Sequence, residues 1–441
     1  MISRLFVYSL LFFATFSIAQ ASDLSTLYSS EHLQERHDRY EPALRANFNR
    51  LVLGSLTREE RARLGHVQLE LPLRAPGKEG SNPLSFYAVG NTVVMPIQSI
   101  KFFDDLSLAW AYAWSNNLSL ESVTDYVSVL KYQKPPADGF PAPLVALGVA
   151  PDIWKQDKRV DDVSQKILKS AIVWIMAHEV AHLLFQHPGY GPQVSVQQAQ
   201  ANEAEADRFA NEIMRRIGVA PGGMANFFVT LAHWSSNRGD FSSDAKWQAF
   251  LKEEATHPFT AARMQALAAD LRRDPGSFSI EAQDRHTGKQ NVLYIASQID
   301  DIATILNDLD IQRSIAAKAQ ATKLSALSYT PQKTSASNGL FSGTFNGSFE
   351  HFLSDDSTEL LGLTVNLNRR KNHVTGSFDF GLGQGSIEGF ISNKQLRFEW
   401  SWGANFGQGI LNSNTTGNQL TGQLGYQAFD HNAGRWQLSR D

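Results

Sequence analysis

The spacing of hydrophobic and polar residues changes along the chain, and each change predicts a different kind of structure. Residues 23–66 read as helical, with Glu31, Glu35, Arg36, Asp38, Arg39 and Glu41 on solvated faces, and Pro42 is expected to break or start a helix there. Thr57 followed three residues later by Glu60 has the spacing of a capping box. From His66 the period falls to two. Val67, Leu69 and Leu71 alternate with Gln68 and Glu70, and Phe86–Val89 and Thr92–Met95 flank Gly90–Asn91 as the arms of a hairpin would. Helical spacing returns over Ser99–Ser115 and Leu120–Tyr132, both rich in aromatic residues that suit a core. The proline-rich loop 135–143 cannot be helical, and is either a lid beside a site or a connector.

An unbroken apolar run, Ile172–Phe185, predicts a buried helix that begins near Asp161–Asp162 and stops at His187–Pro188–Gly189. Further helices are expected up to Ile217–Gly218, from Pro221–Gly222–Gly223 through Trp234, and over Phe259–Arg273, where Met264, Leu267 and Leu271 share one stripe. Ile295, Ile299, Ile302, Leu306 and Leu309 predict one long helix over 292–327, followed by a linker over 330–337. The last 104 residues differ in composition, holding 16 of the 31 glycines. Short alternating segments recur there: 343–349, 361–367, 374–380, 385–391, 395–400, 420–425 and 435–438. About eight strands with no helix between them predict an antiparallel meander, either a small barrel or a sandwich.

The apolar run carries His178-Glu179-x-x-His182. On a helix, residues i and i+4 share a face, so both imidazoles can reach one Zn²⁺ while Glu179 stands beside the open coordination position as a general base. Downstream, Glu203 and Asp207 are again i and i+4 in an alanine-rich helical segment. Glu203 can supply the third, oxygen ligand, and Asp207 is spaced to hydrogen-bond a ligand histidine. His187, five residues past His182, points elsewhere and reads as a residue of the helix end. His257 precedes Pro258 near a helix start, and no spacing singles it out.

These motifs, His178-Glu179-x-x-His182, Glu203-x-Glu205-Ala206-Asp207 and His257-Pro258 with Arg263, resemble the signature of the HtpX / CAAX-prenyl-protease family of gluzincin metallopeptidases over about residues 80–275. The resemblance implies His178, His182 and Glu203 as zinc ligands, with one Zn²⁺ per chain, and Glu179 as catalytic base. It also implies His257 as an active-site residue facing the oxyanion and Arg263 as its support. Unlike the integral-membrane members, this chain has no transmembrane helices in its core pattern, so it looks like the soluble exported type.

The N-terminus agrees with export. Arg4 precedes the apolar stretch Leu5–Ile18, and Ala19–Gln20–Ala21 has the small-x-small form of a cleavage site, so residues 1–21 read as a signal peptide. The run is short for a bilayer span, and no membrane segment is expected after cleavage. A formal charge of −4 argues against a nucleic-acid partner, and the absence of cysteine means that an exported chain must stand without disulfides. The expectation is an α+β protein: a mostly helical zinc endopeptidase domain over 22–329, cutting protein or peptide substrates in the periplasm or outside the cell, and an all-β accessory domain over 338–441 that could bind a partner or substrate. The alternative is a chaperone-like factor for envelope proteins that uses the same groove for holding rather than cutting.

Overall fold

The computed structural model describes residues 25–76, 82–116, 118–188, 194–253, 259–280, 285–329, 340–352, 357–370, 372–381, 383–392, 394–403, 405–426 and 433–440. The signal-peptide reading of 1–21, the linker 330–337 and His257 lie outside the described residues. The described chain is α+β, with a helical part followed by a closed antiparallel barrel. Two separate hydrophobic cores correspond to the two parts.

The helical part opens with α1 (Ser30–Asn47) and α2 (Arg58–Leu64). Helix α1 runs through Pro42 rather than breaking at it; Ser29 caps its start and Leu33 and Leu44 anchor it in the core. The Thr57–Glu60 capping box is formed on α2. Three short strands follow: β1 (Gln68–Glu70), β2 (Tyr87–Val89) and β3 (Thr92–Val94). The β2–β3 hairpin turns at Gly90, and β1 joins the far side of β3 in parallel, so β1 and β2 are the edges. Next come α3 (Ile97–Ser115), α4 (Glu121–Tyr132), α5 (Pro143–Ala146) and α6 (Ile153–Gln156).

Helix α7 (Lys158–Leu184) is the spine of this part. It starts a few residues earlier than the acidic pair suggested, because the Asp157 carboxylate accepts from the amides of Arg159 and Val160. Every residue from Ala171 to His182 is buried. By length and composition α7 could cross a membrane, but its apolar window is mostly enclosed by α3, α8 (Val196–Ile217) and α9 (Gly222–Trp234). The last of these comes unusually close. A Cβ on Gly223 would stand 1.8 Å from the Ile167 carbonyl oxygen, and the Gly223 amide donates to Ser170 Oγ at 2.8 Å. Gly223, the second glycine after Pro221, therefore serves backbone-to-backbone contact.

Helices α10 (Asp244–Glu253), α11 (Ala261–Arg273), α12 (Arg285–Asn307) and α13 (Leu309–Ala321) complete the helical part. The expected stripe of α11 is realised, with Met264, Leu267 and Leu271 all buried. The single helix expected over 292–327 is two. Asp308 leaves helical geometry and its carboxylate accepts from the amides of Asp310 and Ile311, which starts α13 afresh. The apolar repeat persists across the break because both helices pack on the same body.

The barrel has eight strands: β4 (Gly343–Phe352), β5 (Thr358–Arg370), β6 (His373–Asp379), β7 (Gln384–Ser392), β8 (Gln395–Trp402), β9 (Asn405–Ser413), β10 (Gln419–Tyr426) and β11 (Gly434–Ser439). Each pairs antiparallel with the next, and β11 closes on β4. This resolves barrel against sandwich in favour of a barrel. Its glycines are not all turn residues. Gly385 and Gly409 lie in strands, where a Cβ would come within 2.2 Å of the Phe378 ring and 2.3 Å of the Phe398 ring. Large rings fill the interior over positions that carry no side chain. Trp400 and Trp436 are among those buried rings, while Trp402 is half-buried.

One buried histidine gives the helical part a pH dependence. His233, near the end of α9, is hydrogen-bonded to Ser128 Oγ of α4 at 2.8 Å. Burial, then the positive charges of Lys131 and Lys318, push its pKa down to about 4. The unfolded chain therefore binds this proton more readily, so stability is unaffected above about pH 6.5 and is lost as pH falls toward 4. The loss from this group should approach about 3 kcal/mol at the lower limit. Urea unfolding followed between pH 7 and 4 checks this, and the His233→Gln protein should show a correspondingly flatter profile.

Candidate metal centre

His178 and His182 lie one turn apart on the buried end of α7, and Glu203 is presented to both from α8. His178 Nε2 and His182 Nε2 are 3.1 Å apart. The two Glu203 carboxylate oxygens lie 3.4 Å from His178 Nε2 and 3.5 Å from His182 Nε2. Tetrahedral ligands at zinc bond lengths of about 2.0–2.2 Å are separated from one another by roughly 3.3–3.6 Å. The donor set of two imidazoles and one carboxylate, at these separations, could hold such a metal ion. Glu179 is buried on the same turn as His178.

The carboxylates are held from behind. Asp207 Oδ1 is 3.0 Å from His178 Nδ1, the ring nitrogen turned away from the centre. An ionised carboxylate can only accept, so its place there favours a proton on His178 Nδ1. Trp174 stacks on the same imidazole with ring centroids 5.4 Å apart, and its indole N–H donates to Asn211 Oδ1 at 2.9 Å. Arg263, one turn into α11, donates to Asp207 Oδ1 at 2.8 Å from Nη2 and to its other oxygen from Nε. The third nitrogen, Nη1, is 2.8 Å from Glu203 Oε2. Arg263 thus contacts both carboxylates, one of which faces His178 and the other of which faces both imidazoles.

Its partners repeat down the helix pair. Asn211 Nδ2 donates to Asp270 Oδ2 at 2.9 Å, and Arg215 forms an ion pair with Asp270. Glu203, Asp207, Asn211 and Arg215 form an i, i+4 stripe on α8. Arg263 and Asp270 are two turns apart on one face of α11, so the two helices run parallel in a register set by buried polar contacts.

Three buried carboxyl groups, Glu179, Glu203 and Asp207, share this space with one guanidinium, and the surroundings favour positive charge. Burial by itself would lower the pKa of His178. The hydrogen bonds to Asp207 and Glu203 and their negative charge outweigh it and push the imidazole up to about 10. A divalent cation would meet the same demand.

Of the residues singled out in the sequence, His178, Glu179, His182, Glu203, Asp207 and Arg263 lie in one buried cluster. His257 lies outside the described residues. Sequence reasoning missed Trp174, Asn211 and Asp270, which support the cluster from core positions. It also missed His187, whose ring folds back onto His182. The predicted helix stop at 187–189 is in fact earlier, at Leu184, with Gln186 in the left-handed region at φ 54°.

The Arg263 contacts make a direct prediction. Arg263→Met leaves two buried carboxylates without their guanidinium, and should destabilise the metal-free helical part by about 3–5 kcal/mol in urea unfolding. Arg263→Lys keeps the charge but cannot reach both carboxylates with a planar fork, and should fall between the two.

Residues 119–282 match the family model of Peptidase U49. The matched span covers α4 to α11 and contains every member of the cluster, so this part of the chain is similar to a peptidase family. No curated protein and no solved structure matches the chain.

Proposed function

We propose that the protein is a zinc-dependent endopeptidase of the gluzincin type, related in its site to the HtpX / CAAX-prenyl-protease family. The observation that carries this is the buried cluster of His178, His182 and Glu203 with donor separations of 3.1–3.5 Å, set in a segment similar to a peptidase family. His178, His182 and Glu203 hold the metal. When bound, zinc supplies Lewis acidity that acidifies water and polarises a peptide carbonyl.

The chain's own residues do the rest. Glu179 takes the proton of the attacking water and returns it to the leaving amine. Asp207 fixes the His178 ring with its Nε2 toward the ligands, and Arg263 fixes Asp207 and Glu203. Arg263 is in this reading a positioning residue rather than a group that touches substrate. His257 is proposed, on the family resemblance, to donate to the developing oxyanion. Edge strand β2 packs against α7 and supports a reading in which an extended peptide pairs with it through main-chain hydrogen bonds. The signal-like pattern of residues 1–21 supports export, and the family resemblance supports a role in envelope protein quality control.

Metal content by mass spectrometry, with casein cleavage on the same samples, tests the proposal. Wild type should carry about one zinc per chain and cleave. Glu203→Ala should lose both, and Glu179→Gln should keep zinc while hydrolysis falls by about 10²-fold or more. Zinc bound by wild type without cleavage would favour a holding function, and no zinc at all would overturn the metal reading.

A further inference from the structure

His187 and Glu205 form a connected pair behind the second ligand histidine. Helix α7 ends in a Schellman arrangement: the His187 amide donates to the His182 carbonyl at 3.0 Å and the Gln186 amide to that of Leu183 at 3.2 Å. The left-handed position, which usually favours glycine, is occupied here by Gln186 at φ 54°, at a cost of about 1 kcal/mol. That turn brings the His187 ring onto His182, with centroids 5.0 Å apart, and its side chain is only 6% exposed. His187 Nδ1 is 2.9 Å from His182 Nδ1, and His187 Nε2 is 3.1 Å from Glu205 Oε2 on α8.

The proton positions follow from which groups can only accept. The Glu205 carboxylate accepts, so His187 donates from Nε2. The Nδ1 of a neutral His187 then carries a lone pair, and His182 donates to it from its own Nδ1. His182 is left with its lone pair on Nε2, the atom 3.5 Å from Glu203. His178 is oriented by a carboxylate directly, whereas His182 is oriented by a carboxylate acting through a second imidazole.

We infer that His187 and Glu205 are positioning residues that lock the His182 ring and its tautomer for metal binding. The inference rests on the zinc reading of the same site. No metal ligation by His187 is implied.

Zinc affinity tests it, measured by competition with a chromophoric chelator on the full-length protein, with thermal melts of the metal-free variants alongside. His187→Phe keeps a ring but has no acceptor, and should weaken zinc binding by about 10- to 100-fold. His187→Asn offers its amide oxygen where Nδ1 stood, and should stay within about threefold of wild type. Glu205→Ala, at a half-exposed position, should leave the fold intact and cost about three- to tenfold, and it decides the matter if His187→Phe does not fold. Equal losses in the Phe and Asn variants would mean a merely structural role and overturn the inference, as would wild-type affinity in His187→Phe or in Glu205→Ala. If wild type binds no zinc, this inference and the zinc reading fall together. If wild type binds zinc and Glu203→Ala does not, a missing contrast at His187 sinks this inference alone.

Discussion

Burying acidic groups beneath a helix end is the constraint on which the helical part depends. Glu203 and Asp207 are almost fully enclosed, and a buried carboxylate without a partner costs several kcal/mol. Arg263 answers both at once, using three nitrogens of one rigid guanidinium. Because the acids are on α8 and the guanidinium is on α11, satisfying the charges also fixes how these helices sit. The imidazole of His178 brings α7 into the same arrangement through Asp207. Stability and the geometry of the His178–His182–Glu203 cluster therefore rest on the same few contacts.

The arrangement needs close helices, and the neighbouring contacts supply them. Gly223 lets α9 press its backbone against α7 on one side. On the α8 side, Trp174 stacks on His178 while its N–H is held by Asn211, and Asn211 is in turn held by Asp270. Each of these polar groups is buried and each finds a partner on another element, the condition under which a buried polar network rigidifies a core instead of weakening it. His178, His182, Glu203, Asp207 and Arg263 all sit on helices, and their spacing follows from how α7, α8 and α11 pack.

Much of this was legible because period and spacing are direct consequences of helix and strand geometry. The i, i+4 pairs His178–His182 and Glu203–Asp207 could be read as shared faces without knowing what the faces meet. The α+β class followed from the change of period, and the barrel's seven named segments from their alternation. What could not be read depends on contacts between distant residues or on single caps. Asp308 splits a helix whose apolar stripe looks continuous, because one carboxylate bonding to two amides outweighs the repeat. Strand β9 was not named, since Phe406–Gly407–Gln408–Gly409 looks like a turn until Phe398 is known to occupy the space above Gly409. The partners of Arg263 are hidden from the sequence in the same way. Its position in a motif marks it as important, but only the fold shows that it faces carboxylates.

His187 illustrates the limit most clearly. Counted along a continuing helix it would point away from His182, and that count is correct for as long as the helix continues. The helix instead ends three residues earlier, and the left-handed Gln186 reverses the chain. The helix end thus returns a second imidazole to the back of the His182 ring. That contact could not come from the middle of a helix, which is a physical reason for the second histidine of the pair to lie within the last turn of α7 rather than deeper in the core.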